Sequence, residues 1–227
     1  MGFDNTQLEP GIVIEAPDYR LECYDLGTKI TLRKVNLSYS HSFVKSALAT
    51  RARQSGQAVL KACNNKKRSI RRVLDVTGGW GADSLTLALH GREVTLLEYN
   101  PLVFNIVDYS TKCWMNLPLN HNGSLSAQHQ TALTYLDQSE SADAYDCIYL
   151  DPMFPAHKSS AKPSKEMQIL QVLTENLEIE TSFEKSLERA KQRVVVKRPL
   201  KAEPLTRLKP DFCIREKTIR FDIYLTA

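Results

Sequence analysis

The spacing of hydrophobic and polar positions changes near residue 73, and this change divides the chain into two parts. Before it, residues 11–40 consist of short β-rich runs separated by turn signals, which predicts small strands. Residues 44–63 carry an apolar stripe at helical spacing, interrupted by Gly56. We therefore predict a small N-terminal region over residues 1–63, in which short strands precede a helix.

From residue 73 onward, short apolar runs alternate with longer segments of helical period. The predicted strands cover residues 72–76, 93–98, 125–129, 146–150 and 193–197. The predicted helices lie between them, over residues 82–90, 101–115, 131–136, 164–176 and 182–191. A final antiparallel pair is predicted over residues 212–216 and 220–225. Strands that alternate with helices are typical of a doubly wound, mostly parallel sheet, which we assign to residues 64–227.

The composition is that of a globular protein with a mild positive charge. The 227 residues include 30 Lys and Arg against 26 Asp and Glu, a net charge of +4 that permits a polyanionic partner without requiring one. No run of 18 apolar residues predicts a membrane span. The five cysteines include no CxxC pair, which disfavours a disulfide framework or a zinc site and suits a reducing compartment. We expect a cytoplasmic protein without a bound metal, and we assume a monomer.

The first candidate site is the segment DVTGGWGAD, residues 75–83, between a predicted strand and a predicted helix. Glycines in such a turn let the backbone approach a ligand closely. Glu98 ends the next predicted strand, where a carboxylate can accept the hydroxyl groups of a ribose. The spacing departs from GxGxxG, and an acid inside the turn is unfavourable beside a pyrophosphate. The pattern favours the cationic methyl donor S-adenosylmethionine over NAD, and a tight turn without a ligand is the plainer alternative.

The second candidate site is the segment DPMFP, residues 151–155, at the same predicted edge of the sheet. Its two prolines stiffen the backbone. Asp151 and the carbonyl group of Pro152 can accept hydrogen bonds from an exocyclic amine, and Phe154 can stack on the base that carries it. Alone, the segment could be a turn with a buried Phe. Beside the glycine turn, it predicts transfer of a methyl group to an amine.

Basic residues near the same edge predict contacts with phosphate groups. Lys158 and Lys165 follow the second candidate site, and Lys197 and Arg198 close a later strand. Phosphate contacts position a nucleic acid without reading its sequence. A solvated surface is the alternative for such charges, and it is the better interpretation for the basic run over residues 66–72.

Several segments carry a resemblance to a known family, and they occur in the family's order over residues 56–225. They are DVTGGWGAD (75–83), LEYNP (97–101), YLDPMFP (149–155), KEM (165–167), RVVVKRP (193–199) and RFDIY (220–224). With these segments, the chain resembles the RsmJ family of bacterial small-subunit ribosomal RNA guanine-N2 methyltransferases, which use S-adenosylmethionine.

The resemblance implies a Rossmann-like methyltransferase fold, with a mostly parallel seven-stranded sheet and an antiparallel C-terminal strand. It implies methylation of the exocyclic N2 amine of a guanine in 16S ribosomal RNA, either free or within the small subunit. The donor contacts that it implies are Ala82, Asp83, Glu98, Tyr99, Thr131, Ala132 and Asp151. To these we add Asp75, Gly79 and Gly81 from the glycine turn. Asp151, Pro152 and Phe154 are predicted to position the acceptor base.

Three other functions are compatible with parts of the pattern. An amino-group methyltransferase acting on DNA or protein would use the same Asp-Pro segment. A nicotinamide-dependent oxidoreductase would use the glycine turn, and an RNA-binding module could retain a vestigial pocket. A test for methylation of ribosomal RNA would distinguish the proposed enzyme from all three alternatives.

Overall fold

The computed structural model describes residues 12–25, 27–33, 35–44, 50, 52–54, 57–118, 122–138, 145–153, 164–174 and 178–226. The strands are β1 (Ile12–Glu15), β2 (Tyr19–Tyr24), β3 (Gly27–Leu32), β4 (Leu37–His41), β5 (Arg72–Asp75), β6 (Glu93–Glu98), β7 (Ser124–His129), β8 (Cys147–Leu150), β9 (Arg193–Pro199), β10 (Phe212–Arg215) and β11 (Ile219–Leu225). The helices are α1 (Ala58–Ala62), α2 (Ala82–Leu89), α3 (Pro101–Met115), α4 (Ala132–Gln138), α5 (Lys165–Leu173) and α6 (Ile179–Arg189). Within these residues, no helix has both the length and the apolar character needed to cross a membrane.

The larger sheet has seven strands in the order β10-β11-β9-β8-β5-β6-β7. Strands β5 to β9 run parallel to their neighbours among themselves, and β11 is antiparallel to both β9 and β10. The predicted Rossmann-like sheet with an antiparallel C-terminal strand is therefore confirmed. The chain moves from β5 outward to β6 and β7, then crosses to β8 on the other side of β5. In such sheets ligands bind at the carboxyl ends of the strands beside this crossover.

Alternate residues of the central strands line two separate cores, because successive side chains of a strand point to opposite faces. Val73 and Tyr149 face one core. Their neighbours Leu74 and Ile148 face the other, and all four are fully buried. Burial of each large apolar side chain contributes about 1.5–3 kcal/mol to folding. The two-sided burial explains why these strands appear in the sequence as continuous apolar runs.

The N-terminal strands form a separate four-stranded antiparallel sheet in the order β1-β2-β3-β4. Its residues Leu21 and Ile30, with Phe43 just beyond β4, join the core that contains Val73. The small sheet therefore packs on one face of the larger sheet, where β3 contacts α3 and β4 contacts α5. This packing brings β4 close to the carboxyl ends of the central strands.

Helix α1 is packed with the larger sheet, although its sequence lies within the predicted region 1–63. It contacts α2, β10 and β11. The amide of Ala58 donates to Glu216 Oε1 at 3.3 Å, and Arg193 Nη1 donates to the carbonyl oxygen of Ala62 at 3.0 Å. We propose a domain boundary before Ala58 rather than after residue 63. Gly56, predicted to interrupt this helix, lies outside the described residues.

Candidate active site

A cavity of about 490 Å³ lies at the carboxyl ends of β5, β6, β8 and β9, beside the crossover in strand order. This volume is within the range of cofactor and small-molecule sites. The cavity brings together most residues of the two candidate sites, namely Asp75, Gly79, Gly81, Ala82, Asp83, Glu98, Tyr99, Thr131, Ala132, Asp151 and Pro152. Phe154 and Lys158 lie outside the described residues. The individual ligand contacts of all these residues stay predictions.

The glycine turn depends on residues that lack a side chain. The amide of Gly78 donates to the carbonyl oxygen of Leu97 at 2.8 Å. A Cβ atom at Gly78 would lie 2.5 Å from Leu96 Cδ2 and 2.6 Å from that carbonyl oxygen. Gly79 and Gly81 have φ angles of +50° and +69°, a region that favours glycine. The turn can therefore approach both β6 and a ligand closely.

Asp75 is the last residue of β5, and its carboxylate holds the glycine turn through hydrogen bonds. Its carboxylate is 3% exposed and accepts hydrogen bonds from Ser84 Oγ at 2.6 Å and from the amide of Thr77 at 3.1 Å. Burial raises the pKa of Asp75 to about 7, against the lowering effect of these two hydrogen bonds. These contacts hold the backbone of the glycine turn in place, and a direct contact between Asp75 and a ligand stays a prediction.

Glu98 ends β6 and connects two loops of the cavity. Its Oε2 accepts from the amide of Gly79 at 2.9 Å, and its Oε1 accepts from the amide of Asn100 at 2.8 Å. Burial raises the pKa of Glu98 to about 7, although these hydrogen bonds oppose the rise. Each carboxylate oxygen can accept a second hydrogen bond. Glu98 can therefore hold the turn and accept ligand hydroxyl groups at the same time.

Lys197, which the sequence predicts to contact nucleic acid, lies within a cluster of acids. Its Nζ is 2.8 Å from Asp151 Oδ2 and 2.9 Å from Asp83 Oδ2, and the Tyr149 hydroxyl donates to that Asp83 oxygen at 2.6 Å. A phosphate group would have to compete with both carboxylates for this ammonium. Burial would lower the pKa of Lys197, but the charges of Asp151 and Asp83 outweigh it and raise the pKa, so the amine stays protonated.

Asp151 is connected by its backbone to the glycine turn and by its side chain to Lys197. Its amide donates to Thr77 Oγ1 at 2.6 Å, and Thr77 Oγ1 donates to Asp75 Oδ1 at 3.3 Å. The Asp151 side chain is 35% exposed, and its Oδ1 has no hydrogen-bond partner among the described residues. Burial raises the pKa of Asp151, and the charge of Lys197 opposes this rise. One oxygen of Asp151 is thus fixed while the other can receive a ligand.

Helix α5 closes one side of the cavity through two hydrogen bonds to the loops at the sheet edge. Trp80 Nε1 donates to the carbonyl oxygen of Glu166 at 2.9 Å. Asn100 Nδ2 donates to the carbonyl oxygen of Leu173 at 2.5 Å. Asn100 also caps α3, as the sequence predicts, because its side chain accepts from the first amides of that helix. Both ends of α5 are thereby joined to the walls of the cavity.

The small sheet supplies a wall of the cavity that is not among the predicted site residues. Tyr39 of β4 lines the cavity, and its ring lies 4.9 Å from the Trp80 ring between centroids. The alternation of Leu37, Tyr39 and His41 with serines is the sequence signal for a strand that presents these three side chains on one face. The signal predicts the strand, but the contact with Trp80 depends on how the two sheets pack.

The remaining predicted nucleic-acid contacts have different surroundings. Lys165 is the first residue of α5 and is exposed. Arg198 is half-buried, and its Nε donates to the carbonyl oxygen of Glu203 at 3.0 Å. The Lys165 side chain makes no hydrogen bond or ion pair with another described residue, so it can reach a phosphate group. Arg198, in contrast, already holds the chain after β9.

The charges around the cavity suit a cationic ligand. Six acidic residues line it together with the ammonium group of Lys197, namely Asp75, Asp83, Glu98, Asp151, Glu166 and Glu178. S-adenosylmethionine carries a positive sulfonium and a positive amino group, which such a lining attracts. The pyrophosphate of NAD would meet several carboxylates at the glycine turn. The residues present therefore fit S-adenosylmethionine better than NAD.

Comparisons with known proteins agree with this interpretation. Residues 14–226 match the family model described as "Putative SAM-dependent methyltransferase". The chain is 32% identical to the Ribosomal RNA small subunit methyltransferase J of Legionella pneumophila (strain Lens), over 99% of this chain and 95% of that protein. It is 36% identical to the protein of the same name from Nitrosococcus oceani, over 81% of this chain and 75% of that protein. A solved SAM-dependent methyltransferase from Neisseria gonorrhoeae has a similar structure, with a TM-score of 0.68 and 25% identity over 90% of this chain and 81% of that chain.

Proposed function

Since the chain belongs to the ribosomal RNA small subunit methyltransferase J family of SAM-dependent methyltransferases, we propose that it methylates the exocyclic N2 amine of a guanine in small-subunit ribosomal RNA. The observation that carries this proposal is the place of Asp151. Its accepting oxygen Oδ1 adjoins the acidic cavity of the glycine turn, so an amine held there would lie beside the donor site. We further propose that the protein acts in the cytoplasm.

The donor side of the cavity has the task of binding and orienting. When bound, S-adenosylmethionine supplies an activated methyl group on a positively charged sulfur. Glu98 accepts hydrogen bonds from the ribose hydroxyl groups, and Ala82, Tyr99, Thr131 and Ala132 surround the rest of the nucleoside. Asp83 and the glycine turn attract the positive amino end. Because the methyl group is already activated, alignment and exclusion of water are the main contributions of the protein.

The acceptor side has the task of exposing a lone pair. The N2 lone pair of guanine is delocalised into the ring, so the amine is a poor nucleophile. Asp151 Oδ1 and the carbonyl oxygen of Pro152 accept the two amine hydrogens and turn the lone pair toward the methyl group. Phe154, which the sequence predicts to stack on the base, lies outside the described residues; such a contact would contribute about 1–3 kcal/mol.

The atoms balance without a strong base. The donor, held by the residues named above, would supply the methyl group and leave as a neutral thioether, so the new carbon–nitrogen bond would replace the carbon–sulfur bond. The methylated amine is then cationic and loses one proton to water. Asp151 acts as an orienting acceptor in this scheme, while the exposed Lys165 contacts a phosphate group of the RNA. Lys158 lies outside the described residues, and the Arg198 guanidinium is already engaged by the carbonyl oxygen of Glu203.

The test uses small ribosomal subunits from a strain that lacks its own copy of this enzyme. The protein is incubated with these subunits and tritiated S-adenosylmethionine, and the RNA is digested to nucleosides. We expect label in N2-methylguanosine. Label in another nucleoside would overturn the assignment of the atom. Absence of label from RNA, with donor binding confirmed by calorimetry, would favour DNA or protein as the acceptor.

A further inference from the structure

We propose that Lys197 is a positioning residue, which holds Asp151 in the orientation and charge state that the acceptor amine requires and joins it to Asp83 on the donor side. The proposal rests on the function proposed above and deepens it. It also replaces the phosphate contact that the sequence predicts for Lys197.

The register of the sheet places Lys197 next to Asp151. Strands β8 and β9 run parallel, and Leu150 pairs with Val196. Asp151 and Lys197 are therefore the next residues along two neighbouring strands. Asp83 approaches from the first turn of α2 and completes the cluster. Residues from two other elements are thus brought to the ammonium group of Lys197.

The two carboxylate oxygens of Asp151 have different roles, because Lys197 contacts only one of them. Nζ is 2.8 Å from Oδ2, and the Lys197 side chain is only 20% exposed. An ammonium group has three hydrogens, two of which point to carboxylates here. With Oδ2 held, Oδ1 keeps a fixed direction and can accept from the substrate. A rotating carboxylate would lose this direction, and misplacement by about 1 Å can cost about 100-fold in rate.

Lys197 also decides the charge of Asp151. Besides Lys197, the titratable groups around this carboxyl are Asp83 from α2, Asp75 from β5 and Tyr149 from β8. The negative charge of Asp83 favours protonation of Asp151. Phe221 of β11, which pairs with Lys197, carries no charge. Burial and Asp83 raise the pKa of Asp151, and Lys197 acts in the opposite direction. A protonated Asp151 would donate a hydrogen where the mechanism needs an acceptor.

The test compares Lys197→Met, which keeps the length of the side chain, with Lys197→Arg, which keeps its charge. The rate kcat and the KM for small subunits are measured between pH 6 and 9. In Lys197→Met we expect the acidic limb of the kcat profile to move upward by about 1–3 pH units, since an opposite charge shifts a carboxyl pKa by that amount. Raising the pH should then recover part of the rate. Lys197→Arg should restore most of the wild-type profile.

Two contrasting variants separate positioning from RNA binding and from general surface effects. Lys165→Met should raise the KM for subunits without moving the acidic limb. Lys112→Met, which removes an exposed partner of Asp108, should leave both quantities unchanged. A Lys197→Met profile with a raised KM and an unmoved limb would overturn the proposal and restore the phosphate contact. A lowered melting temperature with an unmoved limb would also overturn it, in favour of a structural role.

A measurement without turnover keeps this proposal distinct from the proposed function. The carboxyl carbon of Asp151 is titrated by NMR in labelled wild-type protein and in Lys197→Met, with the signal assigned through Asp151→Asn. We expect a higher Asp151 pKa in the variant, and equal values would contradict the proposal. Lys197→Gln serves if Lys197→Met does not fold. Failure of wild-type protein to label guanine would overturn the function alone.

Discussion

The proposed donor side and the proposed acceptor side of the cavity hold their carboxylates in different ways. On the donor side, Asp75 and Glu98 are 3% and 4% exposed, and backbone amides or hydroxyl groups of adjacent turns hold them. On the acceptor side, Asp151 is 35% exposed, and its side chain is held by a single ion pair to Lys197. Asp75 and Glu98 are therefore held by the turns beside them, whereas the Asp151 side chain depends on one ion pair to a neighbouring strand.

Substitutions on the two sides should therefore have different effects. Changes on the donor side should alter stability and donor affinity, because the binding groups and the fold share the same hydrogen bonds. Changes on the acceptor side should alter turnover, because Asp151 contributes little to the local backbone beyond its amide.

Asp151→Ala should have the largest effect on the reaction. It removes the acceptor that orients the amine, and we expect turnover to fall by about 100-fold or more. The donor dissociation constant should change much less than the rate, since the hydrogen bonds of Asp75 and Glu98 remain. The rate is measured on small subunits, and the affinity by calorimetry with S-adenosylhomocysteine. Asp108→Ala is the matched control and should keep the wild-type rate; near-normal turnover in Asp151→Ala would remove Asp151 from the mechanism.

Gly78→Ala should have the largest effect on the donor side. The added methyl group meets Leu96 and the carbonyl oxygen of Leu97, so we expect a loss of about 1–3 kcal/mol in the free energy of unfolding and much weaker donor binding. Gly91→Ala is the control, because its φ of +89° brings strain but its nearest non-local atom is 3.8 Å away. It should lose stability and keep donor affinity. Equal donor affinity in Gly78→Ala and Gly91→Ala would contradict the assignment of the glycine turn to the donor site.

Glu98→Gln should change how donor binding depends on pH. The pKa of Glu98 is raised to about 7, so its carboxylate forms as the pH rises through neutrality. Wild-type affinity for the donor should therefore increase between pH 6 and 8. The variant should show a flatter dependence and about tenfold weaker binding at pH 8, since hydrogen bonds to charged groups contribute about 1.5–3 kcal/mol. Parallel pH dependences in the two proteins would contradict this role.

The same raised pKa predicts the direction of the pH dependence of folding. Because the folded protein holds a proton on Glu98 at higher pH than the unfolded chain does, its free energy of unfolding should fall as the pH rises from about 5 to 7. Glu98→Gln should reduce this decline. Chemical denaturation across that range measures it, and a stability that instead rises in the wild type and not in the variant would contradict the assignment.

Trp80→Phe should have the smallest effect. It removes the hydrogen bond to Glu166, which is worth about 0.5–1.5 kcal/mol, and should weaken donor binding a few-fold. Trp80 should also report the donor, so the fluorescence response to S-adenosylhomocysteine should disappear in Trp80→Phe. Trp114→Phe, which changes a core residue, should keep the response. If the fluorescence response instead disappears in Trp114→Phe and remains in Trp80→Phe, the donor does not bind beside Trp80.

The parts of the site that depend on local pattern were accessible from the sequence. The strands before Asp75, Glu98 and Asp151 are short apolar runs, and the glycines between residues 78 and 81 identify the turn. Parallel strands end at one sheet edge, so these segments could be expected to meet. The fold class follows from the same alternation of strands and helices.

The parts that depend on packing or register were not accessible in the same way. The Lys197–Asp151 ion pair requires the alignment of β8 with β9, which the spacing of residues along the chain does not define. The contact of Tyr39 with Trp80 requires the position of the small sheet. The sequence predicts a phosphate contact for Lys197, because nothing in its local pattern indicates the two carboxylates that surround it in the fold.

The division between the two sides is tested most directly by the rate of methyl transfer at saturating donor. Under this condition a defect in donor affinity is overcome, while a defect in acceptor orientation remains. We predict that Glu98→Gln returns to within about threefold of the wild-type rate, and that Asp151→Ala stays about 100-fold below it. Recovery of both variants, or of neither, would contradict the account.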